Sequence, residues 1–139
     1  PKTPKPQRCG IFLFSIINKM ERQTTQQRKY CVVANWKCNG TTDFVRDIVT
    51  NLINDLEYDQ NKLDFVVLPG MLHLNLAKAR IADHVLIGAQ NVSADGCGAF
   101  TGEVAAEQLA DYGIEWVMIG HNERRRHFGE TQDIISKKV

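Results

Sequence analysis

Four short apolar runs alternate with stretches of helical periodicity, and this alternation limits the possible folds more than any other feature. Tyr30–Trp36 (YCVVANW), Leu63–Leu68 (LDFVVL), Val85–Ala89 (VLIGA) and Glu115–Ile119 (EWVMI) are short, rich in β-branched residues and apolar on both faces, as strands of a parallel sheet covered on both sides are. Between the first two runs, Phe44, Val45, Ile48, Val49, Leu52, Ile53 and Leu56 recur at helical spacing on one face. The turn Gly40-Thr41-Thr42 places a hydroxyl where it can cap that helix. A second helix is expected over Met71–Ile81, carrying Leu72, Leu76 and Ala79. A third is expected over Val104–Tyr112, with Gly113 suited to its left-handed C-terminal position, and a fourth starts at Thr131. The order is strand–helix repeated four times. Parallel strands joined by right-handed crossovers leave two architectures, an open doubly wound sheet or part of a (β/α)8 barrel.

Charge separates this segment from what precedes it. Residues 1–29 carry seven Lys/Arg and one acid, a balance of +6; residues 30–139 carry ten Lys/Arg and fifteen Asp/Glu, a balance of −5. The folded part therefore has no general attraction for nucleic acid. The extension holds three of the four prolines within its first ten residues and is expected to lack structure. Met20 is the expected natural start, with residues 1–19 as added sequence. The apolar patch Ile11–Ile17 is far too short to span a bilayer. A targeting role for residues 1–29 is the alternative to a cytoplasmic protein. Cys9, Cys31, Cys38 and Cys97 show no C-x-x-C spacing and no zinc-like cluster, so free thiols in a reducing compartment are expected, and no metal.

In either architecture the chemistry sits at the carboxyl ends of the strands, and polar residues follow three of the four runs directly. The first gives Asn35-Trp36-Lys37-Cys38-Asn39-Gly40, the third Gln90-Asn91, and the fourth His121-Asn122-Glu123-Arg124. A lysine directly after a buried strand is not a core residue unless paired; its ammonium can neutralise a bound anion or a developing oxyanion. Asn35, two residues earlier, lies on the same side of the strand. His121 can polarise a carbonyl or carry a proton. Asn122 can cap a short helix from Glu123 onward, whose positive end favours a neutral imidazole. A neutral imidazole beside a lysine suits a small, anionic, carbonyl-bearing substrate. His121 can also be read as a satisfied buried histidine, and Arg125 and Arg126 as a solvated helix face. His73, His84 and His127 are expected to be structural or surface residues.

The segments NWKCNG, GAQN, GAFTGE and GHNERR, in this order and at these separations, resemble the triosephosphate isomerase family over about residues 30–139. The resemblance implies a (β/α)8 barrel of which about the first four βα units are present. It implies aldose–ketose isomerisation of a triose phosphate through an enediolate, within glycolysis and gluconeogenesis, with no cofactor. By it, Asn35 and Lys37 bind the substrate, His121 polarises its carbonyl, and Glu123 holds the lysine. Glu103 and Arg124 form an ion pair tying the third loop to the fourth. The loop Gly96–Glu103 enters a partner subunit, where Thr101 reaches the neighbour's Asn35 and Lys37. Cys38 packs near that interface, and the assembly is a homodimer. Asn122 stands where serine is usual, and a longer amide there alters contacts to the catalytic carboxylate.

The same resemblance implies a catalytic glutamate after a sixth strand, followed by a lid and phosphate-binding loops, and nothing in these residues matches them. Four βα units cannot close a barrel. The first and fourth strands are expected to expose their edges and the inner face to be open, so the polypeptide as written is expected to self-associate and to have no measurable isomerase activity. A non-catalytic β/α module that binds an anion or a partner is the alternative reading.

Overall fold

The structure is a computed structural model that describes residues 12–15 and 28–139. Strand β1 is Phe12–Ser15 and β2 Tyr30–Asn35; helix α1 is Thr42–Ile48. Then come β3 (Leu63–Leu68), α2 (Leu74–Lys78), β4 (Leu86–Ala89), α3 (Ala106–Asp111), β5 (Trp116–Ile119), α4 (Asn122–His127) and α5 (Gln132–Lys138). Strands β2, β3, β4 and β5 pair in parallel in sequence order. They form the four-stranded sheet of a partial (β/α) barrel. Their short apolar sequences make this the expected outcome: residues that suit both faces of a pleat are buried on both.

The first difference from the sequence reading lies in the extension. Phe12–Ser15, expected to be without structure, is an antiparallel strand along β5, with Phe12 opposite Ile119 and Ser15 opposite Trp116. The sheet is therefore mixed, and the edge of β5 is not free. Among the described residues the sheet now ends in β1 on one side and β2 on the other. The start proposed at Met20, and Cys9, lie outside the described residues.

Both faces of the sheet carry core. Ala89 and Ile119 meet Leu74, Leu109, Ile114 and Ile135 beneath α3 and α5. Val45, Val49 and Ala77 join α1 to α2. On the other face Val66, Leu68 and Met118 pack with Val33, Leu86 and Trp116; these three are buried, so the inner face is not open at this layer as expected.

The helices are shorter than their periodicity suggests. Thr41 Oγ1 accepts the Phe44 N–H and caps α1, as expected. From Val49 to Ile53 the chain continues as a π-helix, closed by Asn54 N–H to Val49 C=O. This wider turn advances less per residue. Val45, Val49 and Ile53 stay buried, while Leu52, expected on the same face, is 55% exposed. The next segment opens as a 3-10 turn at Met71–His73, and Leu74 and Ala77 supply its buried face in place of Leu72.

Candidate functional site

Three strand ends converge. An open hollow of about 250 Å³ is lined by Asn35, Lys37 and Cys38 after β2, Gln90 and Asn91 after β4, and His121, Glu123, Arg124 and Phe128 after β5. The parallel sheet causes this convergence, because every strand delivers its following residues to the same edge.

Lys37 has φ +58°, a left-handed conformation that costs a residue with a Cβ about 1–2 kcal/mol. Its N–H donates to Asn35 Oδ1 at 2.9 Å, and its C=O accepts from Gln90 Nε2 at 2.9 Å. So disposed, the ammonium reaches Glu123 Oε1 at 2.8 Å and lies 3.0 Å from His121 Nε2. The hydrogen bond from Lys37 holds the Glu123 carboxyl below the usual carboxylate range. The pair is half exposed to water, so its value lies in aim more than in stability.

The ring of His121 is fixed from the other side. The Glu123 N–H donates to Nδ1 at 3.2 Å, which makes His121 the cap of α4. Asn122, expected to cap, is instead the first residue of the helix and is exposed. A nitrogen that accepts an N–H carries no hydrogen, and this contact assigns the ring hydrogen to Nε2. Glu123 Oε2, 3.5 Å from Nδ1, then makes no ion pair with the ring. The Nε2–H and the Lys37 ammonium are two donors 3.0 Å apart. In this tautomer they do not bond to each other, and an oxygen placed beside both accepts from each. Asn35 adds a third donor. Its Oδ1 is taken by Lys37, but its NH2 contacts only the Met118 sulfur, at 3.6 Å, a weak acceptor.

The expected ion pair between Glu103 and Arg124 is not what the structure contains. Arg124 Nε binds Glu130 Oε1 at 2.8 Å, while Glu103 is exposed. The two share only the wall of a neighbouring hollow, with Gln90 and Asn91. A local preference decides this: Glu130 follows Arg124 after one helical turn and a glycine. Lys138 Nζ also reaches Glu130 Oε1, at 2.6 Å, and Asn91 Oδ1, at 2.8 Å. This buried network under the hollow went unread in the sequence, as did the role of Gln90. The signal for Gln90 was present, since it is a polar side chain directly after a buried strand. For Glu130 and Lys138 no local spacing announces a pair.

Thr101 lies at the exposed tip of the glycine-rich loop beside the half-exposed Phe100, away from the hollow. The bond from Ser93 N–H to Val104 C=O closes the base of that loop. Cys31, Cys38 and Cys97 are free and exposed. Among the described residues no group of three or more His, Cys, Asp or Glu could hold a metal ion, and no helix is long and apolar enough to cross a membrane.

Comparison with known proteins adds independent findings. The family described as triosephosphate isomerase matches residues 30–139. A chloroplastic triosephosphate isomerase of Secale cereale is 42% identical over 112 residues, covering 80% of this chain and 37% of the relative. A glycosomal triosephosphate isomerase of Trypanosoma cruzi is 44% identical over 107 residues, 76% of this chain and 41% of the relative. A cytosolic one of Oryza sativa subsp. japonica is 41% identical over 112 residues, 81% of this chain and 44% of the relative. The chain thus spans well under half the length of these relatives.

Proposed function

The chain belongs to the triosephosphate isomerase family, and on that premise we propose that its hollow binds a phosphorylated triose and supplies the electrophilic half of an aldose–ketose isomerisation. The reaction is the interconversion of dihydroxyacetone phosphate and D-glyceraldehyde 3-phosphate. The observation that carries this reading is that His121 Nε2 and the Lys37 ammonium lie 3.0 Å apart, so that, with the ring hydrogen on Nε2, both donate to one oxygen placed beside them. A carbonyl oxygen placed there is polarised by both. As a base removes the proton from the adjacent carbon, the electrons move onto that oxygen, and the enediolate that forms is held by donors already aimed at it. A neutral imidazole suits this step, because it can lend its proton to either enediolate oxygen and recover it. The steps are proton transfers and polarisation, for which neither metal nor cofactor is invoked.

The reaction also needs a carboxylate base. Glu123 is a poor candidate, since Lys37 holds it and keeps it ionised at low basicity. We therefore assign binding and polarisation, without turnover, to residues 1–139 alone. The non-catalytic anion-binding module is the second reading, and the same commitment of Glu123 favours it. A homodimer belongs to the proposal: Cys38, Thr101, Glu103 and Arg124, with the half-exposed Phe100 and the exposed Phe128 beside them, are the surfaces on which a second copy would settle, with the glycine-rich arm reaching the neighbour's hollow. A cytoplasmic location is also proposed, supported by the free thiols; the relatives' names span cytosol, chloroplast and glycosome.

The test is a titration of the isotopically labelled chain with dihydroxyacetone phosphate. Saturable shifts of the His121 ring and Lys37 side-chain signals are expected, without deuterium uptake at carbon in heavy water. Shifts elsewhere but not at these two residues would refute the site. Deuterium uptake would refute the assignment of binding without turnover.

A further inference from the structure

We infer that Gln90 is a positioning residue for Lys37, and that its side-chain amide is what holds the left-handed backbone step that aims the lysine ammonium. The inference rests on Lys37 being the anion-binding group of the proposed function. Lys37 is the only described residue other than glycine with positive φ, at +58°. An L-residue persists there only when its surroundings over-determine it. Both peptide groups of Lys37 are held by side chains. Its N–H is bound by Asn35 Oδ1, and its C=O by Gln90 Nε2. The same Nε2 donates its second hydrogen to Leu68 C=O at 2.9 Å, and Leu68 C=O also accepts from Trp36 N–H at 3.0 Å. One amide group from the end of β4 therefore joins the segment after β2 to the last residue of β3.

The chemistry of that position is narrow. Two backbone carbonyls face one side-chain group, so the group must bring two hydrogens on one atom at the reach of a glutamine. A glutamate would set acceptor against acceptor. An asparagine is one methylene too short, and a methionine brings no hydrogen. Without the donor, the Lys37 carbonyl loses its anchor, and the Asn35 bond to its N–H alone is left against the cost of the left-handed turn. The chain is then expected to relax and swing the ammonium away from His121 and Glu123. A merely structural Gln90 would lower overall stability and leave the geometry of Lys37 alone. That difference separates the two roles.

The test uses the full chain with Gln90→Met and Gln90→Glu. The Lys37 Cα and Cβ chemical shifts and its HN–Hα coupling report the backbone conformation without any ligand. Both variants are expected to lose the left-handed signature at Lys37, and affinity for dihydroxyacetone phosphate is expected to fall about tenfold, the loss of roughly one hydrogen bond to a charged group. An unchanged Lys37 signature in both variants would overturn the inference. Should the unsubstituted chain not bind dihydroxyacetone phosphate, the functional reading fails, while the Lys37 signature still decides the role of Gln90. Should neither variant fold, the unsubstituted chain decides. The Gln90 side-chain amide protons are expected to exchange with solvent at least tenfold more slowly than those of the exposed Gln132; equal exchange would overturn the inference.

Discussion

Lys37 combines a strained backbone with a charge that must be aimed. The two demands can be separated by substitution. Glycine takes φ near +58° without a Cβ penalty, whereas alanine keeps the penalty and loses only the ammonium. Lys37→Gly is therefore expected to be more stable than Lys37→Ala by up to about 1 kcal/mol, the left-handed cost less the greater freedom of glycine in the unfolded chain. Urea denaturation of both variants measures the difference, and an alanine variant equal to or more stable than glycine would mean that the turn is not strained. In either variant Glu123 loses the hydrogen bond that depresses its pKa, so its carboxyl is expected to titrate at higher pH than in the unsubstituted chain, by carbon-detected NMR. That Lys37, His121, Asn35 and Glu123 line one hollow was legible because each is a polar group at the end of a buried strand or within four residues beyond it. The capping role was misplaced by one position. Asparagine is the better cap by side-chain type, but the chain leaves β5 through Gly120 at φ +69°, and this sets His121 in the capping position.

At the scale of elements, the four parallel strands were legible almost to the residue and the helices were not. Strand limits follow from where apolar residues stop. Helix phase depends on how each turn closes, and the π-turn at Val49–Ile53 rotates Leu52 out of the core without any mark in the sequence. Gly88 in β4 is a close-approach position. A Cβ there would meet the Trp116 carbonyl oxygen at 2.7 Å and Leu68 Cδ2 at 2.6 Å. Gly88→Ala must displace neighbouring backbone, and is expected to cost about 3 kcal/mol, the upper range for overpacking; a loss below about 1 kcal/mol in urea unfolding would show that β4 and β5 yield easily. The joint between α4 and α5 is electrostatic. Burial raises the Glu130 carboxyl, but the hydrogen bonds from Lys138 and Arg124 outweigh it and hold it below its ordinary value. Its pKa is thus lower folded than unfolded. The stabilisation is present above the unfolded value of about 4.3 and is lost as pH falls through the folded one. Glu130→Gln is expected to flatten that acid loss and, at neutral pH, to cost about 3 kcal/mol, because Lys138 is left buried without a counter-charge. An acid profile unchanged by the substitution would remove Glu130 from the cause.

For the molecule as a whole, the question is what becomes of the sheet edges. The sequence reading foresaw two free edges, because four βα units leave the first and fourth strands unpartnered. It missed the strand at Phe12–Ser15, because the basic, proline-containing surroundings of that short apolar patch argue against structure. Reach is no obstacle. The chain between Ser15 and Tyr30 can extend roughly 50 Å, and four strand spacings amount to about 19 Å. With β1 in place, the backbone groups of β5 from Trp116 to Ile119 are covered, and the outer sides of the four-residue β1 and of the longer β2 are the edges left to recruit another chain. Deleting residues 1–19 uncovers β5. The shortened chain is expected to sediment as larger, concentration-dependent species than the full chain at equal concentration, and a synthetic peptide of residues 10–17 added in trans is expected to reverse part of that change. The peptide arm separates edge covering from a general loss of solubility, since it restores a strand without restoring the prolines and most of the basic residues of the extension. Identical sedimentation of the two chains would mean that pairing at β5 does not govern association.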